Sequence, residues 1–225
     1  MKGILLFFAL LATVTAVGQT EYQFGLLPSF NLNKKLSNDF ALNFELESRQ
    51  QLSQGLFSDS NAFDFEYILT DLTLIAGKKI AANQTVTLGY LFRIRDGQGI
   101  HRSIQQFIVT KKFTGLKLSQ RFATDQTFEK NKSTAFRLRY RIATEIPLNG
   151  QSVDVGEFFL KLNNEYLNQL EASTYDLEVR LTPFLGYTIS GNQKFELGLD
   201  YRISSFLEGP ASHKFWIGMN WYQSL

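Results

Sequence analysis

Apolar and polar residues alternate one by one over most of this chain, beginning near residue 20. The stretch FRLRYRIATEIP at 136–147 shows the pattern in its clearest form. Because successive side chains of a β-strand point to opposite faces, the two sets lie on opposite sides of one strand. No stretch has a convincing helical period, so the sequence predicts an all-β fold. In 136–147 the apolar set is Phe136, Leu138, Tyr140 and Ile142, and the basic set is Arg137, Arg139 and Arg141.

The length of the alternating segments favours a membrane barrel. Strands of globular proteins usually contain about five or six residues, whereas many of these segments alternate for about ten to fifteen. A tilted strand needs ~9–11 residues to cross a bilayer. We therefore predict an antiparallel up-and-down transmembrane β-barrel of about 10–12 strands, with its apolar face toward lipid. The alternative is a secreted, soluble all-β protein whose apolar face forms a core or a ligand cavity.

About eleven segments alternate, which is an odd number. Single-chain bacterial barrels have even strand numbers, so the count conflicts with a simple barrel. Turn-forming clusters fall alternately into a compact set, which includes 147–152, and an irregular set, which includes 96–101 and 168–173. We assign the compact set to the periplasmic rim, so that the segments from Asp39 onward form ten strands. Residues 21–32 are then either a strand outside the barrel or the neighbour of an undetected twelfth strand.

The polar face of the predicted strands carries charges of both signs. One arginine near mid-bilayer on the lipid face would cost ~2–4 kcal/mol, so a row of three must face the barrel interior. Barrels near eight strands are filled by side chains and only much larger ones leave a wide channel, so we expect a closed or very narrow lumen. The predicted lumen charge network consists of Glu45, Glu47, Arg93, Arg95, Arg137, Arg139, Arg141, Glu178, Arg180, Asp200 and Arg202.

Aromatic residues are abundant, with 21 phenylalanines, nine tyrosines and two tryptophans. Tyrosine and tryptophan concentrate at both membrane interfaces of a barrel. The chain ends in Leu225 and not in an aromatic residue, so the preceding aromatic pair is the expected interfacial anchor. Each of these residues could equally be an ordinary strand aromatic. The predicted girdle includes Tyr140, Tyr187, Tyr201, Trp216, Trp221 and Tyr222.

The N-terminus MKGILLFFALLATVTAVGQT has the layout of a secretory signal peptide. Lys2 supplies the charged start, residues 4–14 form an apolar core, and small residues precede a cleavage site after Gly18. The alternative is an uncleaved anchor, but the apolar core is shorter than the ~20 residues of a spanning helix. We predict cleavage of residues 1–18 and one barrel domain over 19–225, exported to the outer membrane of a Gram-negative cell.

Several segments resemble an uncharacterised bacterial family, a domain of unknown function that is assigned to outer-membrane β-barrels. The resembling segments are NLNKKLSNDFALNFELESR at 31–49, FRLRYRI at 136–142, LTPFLGYTI at 181–189, KFELGLDYRI at 194–203 and KFWIGMNWYQSL at 214–225. The similarity covers nearly all of the mature chain. It implies the fold and the location, and it carries over no catalytic residue.

Candidate chemistry centres on the only two histidines, His101 and His213. Both are assigned to the irregular set of turns, which places them on the outer rim, and a histidine near Ser103 or Asp96 could act as a general base. Solvated loop residues are the simpler interpretation, because activation needs a nucleophile, a base and an orienting group together. No catalytic, metal-binding or nucleotide-binding motif is present, and we predict no cofactor and no metal. The carboxylates that could meet in a weak calcium site are Asp59, Asp96, Glu129 and Glu208.

Two classes of function remain. The first is a non-enzymatic barrel that acts as a structural protein, a porin-like narrow pore or a docking surface. The second is an outer-membrane hydrolase with a rim site around His101 or His213. The net charge of +2 gives no electrostatic case for nucleic acid. The expected partners are outer-membrane lipid and, during biogenesis, the barrel-insertion machinery, and the sequence predicts no particular solute or partner protein.

Overall fold

The computed structural model describes residues 20–58, 63–207 and 209–225. The predicted signal peptide, 1–18, lies outside these residues. Within them the chain forms strands and turns, and no helix is long and apolar enough to cross a membrane. The strands are β1 (Glu21–Lys35), β2 (Phe40–Leu56), β3 (Glu66–Ala81), β4 (Gln84–Arg95), β5 (Gln98–Phe113), β6 (Leu116–Phe128), β7 (Ala135–Pro147), β8 (Phe158–Glu171), β9 (Thr174–Ser190), β10 (Gln193–Ser204) and β11 (Ser212–Ser224).

These eleven strands close into one barrel in which each strand pairs with its sequence neighbours. Ten pairings are antiparallel, as predicted, and the closing pair β1–β11 is parallel, with Leu26 opposite Ile217. Residues 21–32 therefore belong to the barrel, and there is neither a strand outside it nor a twelfth strand among the described residues. Since the strand number is odd, β1 begins and β11 ends at opposite rims.

The connections fall on two rims. We call the rim with the β2–β3, β4–β5, β6–β7, β8–β9 and β10–β11 connections the upper rim, and the other the lower rim. Residues 96–97 and 172–173 are tight turns, with Asp96 and Gly97 both at positive φ, as short hairpins require. The connection over 148–157 is long. The prediction of irregular turns at 96–101 and 168–173 and a compact one at 147–152 is therefore wrong in length, although the two sets lie on opposite rims as expected.

Strand β7 shows how the two faces of the barrel wall differ. Leu138 is 56% exposed on the outside, whereas the side chains of its neighbours Arg137 and Arg139 are 10% and 16% exposed. The barrel is thus apolar outside and charged inside.

A β-bulge in β3 changes which residues of that strand face inward. Arg49 of β2 pairs with Leu69 and the next residue, Gln50, pairs with Tyr67, so Ile68 is an extra residue. Tyr67 is exposed, while Leu69 is buried in the interior. The sequence pattern places Tyr67 and Leu69 on one face, and the bulge separates them.

Candidate functional site: a charged barrel interior

The interior holds a cavity of about 450 Å³ in the half of the barrel nearer the upper rim. Strand alternation sends every second side chain of the wall into it. All eleven residues of the predicted lumen charge network line this cavity: Glu45, Glu47, Arg93, Arg95, Arg137, Arg139, Arg141, Glu178, Arg180, Asp200 and Arg202.

Part of this charge is paired within single strands. Arg49 Nη2 lies 2.7 Å from Glu47 Oε1 on the same strand. Arg202 donates from Nε and Nη2 to the two carboxylate oxygens of Asp200, at 2.6 and 3.1 Å. These pairs use residues two apart, which share a face of a strand.

Two buried carboxylates are each shared by several arginines. Asp125 is 1% exposed and has Arg137 Nε at 2.5 Å and Arg139 Nε at 2.9 Å. Arg102 Nε lies 3.5 Å from the same carboxylate and donates to Thr127 Oγ1 at 2.9 Å. The cluster joins β5, β6 and β7 at one point of the wall.

The second shared carboxylate is Glu165 on β8, which is also 1% exposed. Arg121 Nη2 lies 2.5 Å and Arg141 Nε 2.7 Å from its Oε2. Arg180 Nη1 is 3.5 Å from Oε1, and Arg180 Nε is 2.5 Å from Glu178. Six arginines therefore converge on two carboxylates.

Arg102 and Asp71 are interior residues that the sequence prediction missed. Arg102 lies where the alternation of β5 is interrupted by polar residues on the outer face, such as Ser103 and Gln105. Asp71 follows the bulge at Ile68. Because the bulge shifts the alternation of β3 by one residue, Asp71 faces the cavity, whereas the alternation before the bulge would place it on the outside. The counterion of Arg93 could have been sought on the preceding strand, but the register between β3 and β4 was needed to identify Asp71.

The half of the barrel nearer the lower rim is filled by side chains. Phe159 is fully buried over Gly186, where an added Cβ would meet its ring at 2.1 Å. Lys161 Nζ lies 2.9 and 3.0 Å from the two carboxylate oxygens of Glu196 and 3.4 Å from Tyr222 Oη. Bulky and paired groups thus occupy this end of the lumen.

The predicted aromatic girdle is only partly on the outside. Trp216 is 2% exposed and lines the cavity, with its ring so close to Gly25 that a Cβ there would meet it at 2.7 Å. Tyr222 points inward to Lys161 and Glu196. The girdle prediction is wrong for both. Trp216 and Tyr222 share one face of β11, which points inward, whereas Trp221 lies on the opposite, outward face.

The other girdle residues lie on the outer face at different heights. Tyr201 stacks on Phe215 toward the upper rim, at a ring distance of 5.0 Å. Tyr187 packs on Phe158 toward the lower rim, at 4.8 Å. Tyr140 lies in the middle of β7, away from either rim, and pairs with Tyr166 of β8.

The two histidines belong to strands and not to loops. His101 is the fourth residue of β5 and His213 the second residue of β11, both with side chains on the outer face. His101 Nδ1 hydrogen-bonds with the hydroxyl of Tyr90. His213 Nδ1 lies 2.9 Å from the hydroxyl of Tyr201. Each imidazole thus has a tyrosine of the neighbouring strand as its partner.

The candidate serine and carboxylate near His101 are engaged elsewhere or exposed. Ser103 donates to Gln126 at 2.5 Å. Asp96 is 81% exposed in the β4–β5 turn, 3.9 Å from Arg95. The structure does not bring these two residues together with the histidine.

The carboxylates considered for calcium are not grouped as a metal site in the part of the chain that the structure describes. Asp59 and Glu208 lie outside the described residues. Glu129, on the upper rim, lies 2.8 Å from Lys132 and 3.0 Å from Arg95. Hydrogen bonding to Lys132, with the charge of Arg95, lowers the pKa of the Glu129 carboxyl from its ordinary value.

Residues 24–223 match the model of a family described as "Protein of unknown function (DUF2490)". No curated protein and no solved structure matches the chain.

Proposed function

The chain belongs to the DUF2490 family of proteins of unknown function, and we propose that it is a non-enzymatic integral barrel of the bacterial outer membrane. The supporting observation is the inversion of polarity across the barrel wall. Every strand carries at least one exposed large apolar or aromatic side chain. A monomeric protein in water rarely exposes contiguous apolar patches beyond a few hundred Å².

The length of the strands supports the same proposal. They contain 12 to 17 residues, more than the ~9–11 that a tilted strand needs to cross a bilayer. The outer face would contact lipid directly, and the insertion machinery for barrels would act on the chain after export and removal of 1–18.

A narrow lumen follows from the packing inside. Phe159 and the pair of Lys161 and Glu196 fill the lower half, while the cavity occupies the upper half. We propose that solutes gain access from the upper rim, which would face outward, and that the lower half acts as a constriction. A structural or narrow-pore role fits this interior better than a wide channel does.

A non-enzymatic role is supported by the surroundings of the histidines. His101 and His213 each pair with a tyrosine on the outer face. Replacing both by glutamine should leave the folded barrel unchanged, as judged by its gel migration. Loss of a hydrolytic activity toward lipid or peptide in that double variant would instead support the hydrolase.

Fractionation of the envelope, followed by gel migration with and without boiling, tests the proposal. An outer-membrane barrel should be recovered in the outer-membrane fraction and should migrate faster before boiling than after. Recovery as a soluble periplasmic or secreted protein without a heat-dependent shift would contradict the proposal. In that case the apolar outer face would have to be covered by another surface.

A further inference from the structure

All ten arginines of the chain line the cavity of about 450 Å³ in the upper half of the barrel. Of the twelve lysines that the structure describes, only Lys214 does. A guanidinium differs from an ammonium in its planar fork of donors, which matches the paired oxygens of phosphate and carboxylate groups. The segregation of arginine from lysine therefore indicates a cavity built for oxyanions and not merely for positive charge.

The charges around the cavity do not balance. Eleven cationic side chains line it, against the five carboxylates of Glu45, Glu47, Asp71, Glu178 and Asp200. Asp125 and Glu165 are buried among the interior arginines without lining the cavity, and adding these two carboxylates raises the total to seven. Arg95 also has Glu129 as a counter-charge at 3.0 Å on the upper rim, so with these groups ionised the eleven cations face eight carboxylates and three positive charges have no counter-charge. Such a surplus in a closed barrel is costly unless an anion neutralises it.

Three buried N–H groups without a hydrogen-bond acceptor also favour a bound anion. Arg121 Nε and Arg137 Nη2 are buried and have no hydrogen-bond acceptor among the described residues, and the same holds for the indole Nε1 of Trp216. All three residues line the cavity, and the side chain of Arg137 is only 10% exposed. Buried polar groups without a partner are rare in proteins, and a bound ligand is one explanation of them.

We infer that the cavity binds a small polyvalent oxyanion of the phosphate type, held by guanidinium groups that the shared carboxylates Asp125 and Glu165 leave only partly neutralised. A volume of about 450 Å³ lies within the usual range for small-molecule sites. The ligand is a free solute and not a lipid headgroup, because the wall is hydrogen-bonded all round and offers an acyl chain no lateral opening. The inference names the solute class of the barrel proposed above and rests on that proposal for its route of access.

Calorimetric titration of the folded, detergent-purified protein with inorganic pyrophosphate tests the inference. We expect saturable binding that weakens as sodium chloride is raised, because the interaction is electrostatic. Arg137→Gln should weaken binding about tenfold or more, since it removes a charge-assisted donor pair. Lys112→Gln, which removes one charge from the exposed lower end of β5, should change affinity by less than about twofold.

Arg121→Gln serves as a second variant if Arg137→Gln does not fold. Heat-dependent gel migration of each sample reports separately whether the protein is a membrane barrel. Pyrophosphate binding without a heat-dependent shift would contradict the membrane proposal and leave the anion site standing. Absence of saturable binding to a correctly folded barrel, or equal affinities of wild type and a folded arginine variant, would overturn the inference.

Discussion

Arg93 of β4 and Asp71 of β3 form a two-pronged ion pair across adjacent strands inside the barrel, with Nε–Oδ1 and Nη2–Oδ2 distances of 2.7 and 2.6 Å. The geometry is the parallel fork that guanidinium and carboxylate groups favour. Asp71 is 4% exposed, and Arg49 Nη2 also lies 4.0 Å from it. One carboxylate thus helps to neutralise two interior cations.

Replacement of this carboxylate should destabilise the barrel. Asp71→Asn leaves Arg93 with an uncompensated charge, and breaking one partner of a buried pair costs about 3–5 kcal/mol. Urea unfolding of the protein in lipid or detergent would measure the loss. Asp154→Asn, in the exposed β7–β8 connection, removes the same charge and should change the unfolding free energy little. Equal effects of the two substitutions would mean that the interior pair does not stabilise the fold.

Two leucines of equal exposure allow a test of whether the outer wall of the barrel faces lipid or water. Leu138, the fourth residue of β7, and Leu148 in the β7–β8 connection are both 56% exposed. In a membrane, Leu138→Arg should cost more than about 1 kcal/mol and Leu148→Arg close to nothing, because the penalty is about 2–4 kcal/mol at the midplane and falls toward the interfaces. Unfolding free energies in lipid vesicles measure both. If both variants are as stable as wild type, the wall faces water.

The parallel closure can be tested by cross-linking, because the chain contains no cysteine that would compete. Leu26 of β1 and Ile217 of β11 are direct partners on the outer face. The Leu26→Cys/Ile217→Cys variant should form a disulfide after mild oxidation, since neighbouring strands lie ~4.8 Å apart and a disulfide spans less than ~7 Å. The cross-linked, boiled chain should migrate differently on a non-reducing gel.

Leu199 supplies the matched control for this cross-link. It pairs with Ile217 from the far side and lies two strands from β1, at about 10 Å. The Leu26→Cys/Leu199→Cys variant should therefore remain uncross-linked. A disulfide in the control, or none in the test pair, would place β1 elsewhere.

The rim cluster of Glu129 should make stability depend on acid pH. The pKa of the Glu129 carboxyl is lowered in the folded protein by hydrogen bonding to Lys132 and by Arg95, so its stabilising contribution is complete above the unfolded pKa of about 4.3. The contribution is lost as the pH falls through the folded value. Wild type should melt at a slightly higher temperature than Glu129→Gln at pH 7, and the two should converge in acid. A constant difference would exclude this titration.

Most of the fold could be predicted from the long alternating runs, because a strand with one apolar and one polar face shows a two-residue period in the sequence. Leu138 between Arg137 and Arg139 is enough to assign both sides of β7. The same parity applied to β11 would have placed Trp216 and Tyr222 inside, opposite Trp221. The Asp96–Gly97 pair is a signal for a two-residue hairpin, and it would have placed His101 in a strand.

Features that depend on pairing between distant segments could not be predicted from the sequence. Residues 21–32 close the barrel against the last strand, some 190 positions away, and nothing local encodes a parallel partner. The bulge at Ile68 changes the period of β3 within one residue and hides Asp71. The sharing of Asp125 and Glu165 among six arginines follows from the register of β5 to β9, which alternation alone leaves open.

Site-directed spin labelling along β7 tests the central claim, a barrel wall with lipid outside and charge inside. Single-cysteine variants at 136–142, labelled with a nitroxide in lipid vesicles, would be compared for collision with oxygen, which concentrates in lipid, and with a water-soluble nickel complex. We predict high oxygen and low nickel accessibility at 136, 138, 140 and 142, and the reverse or low values of both at 137, 139 and 141. High nickel accessibility at Leu138→Cys would show that water covers the outer face and would contradict the membrane barrel.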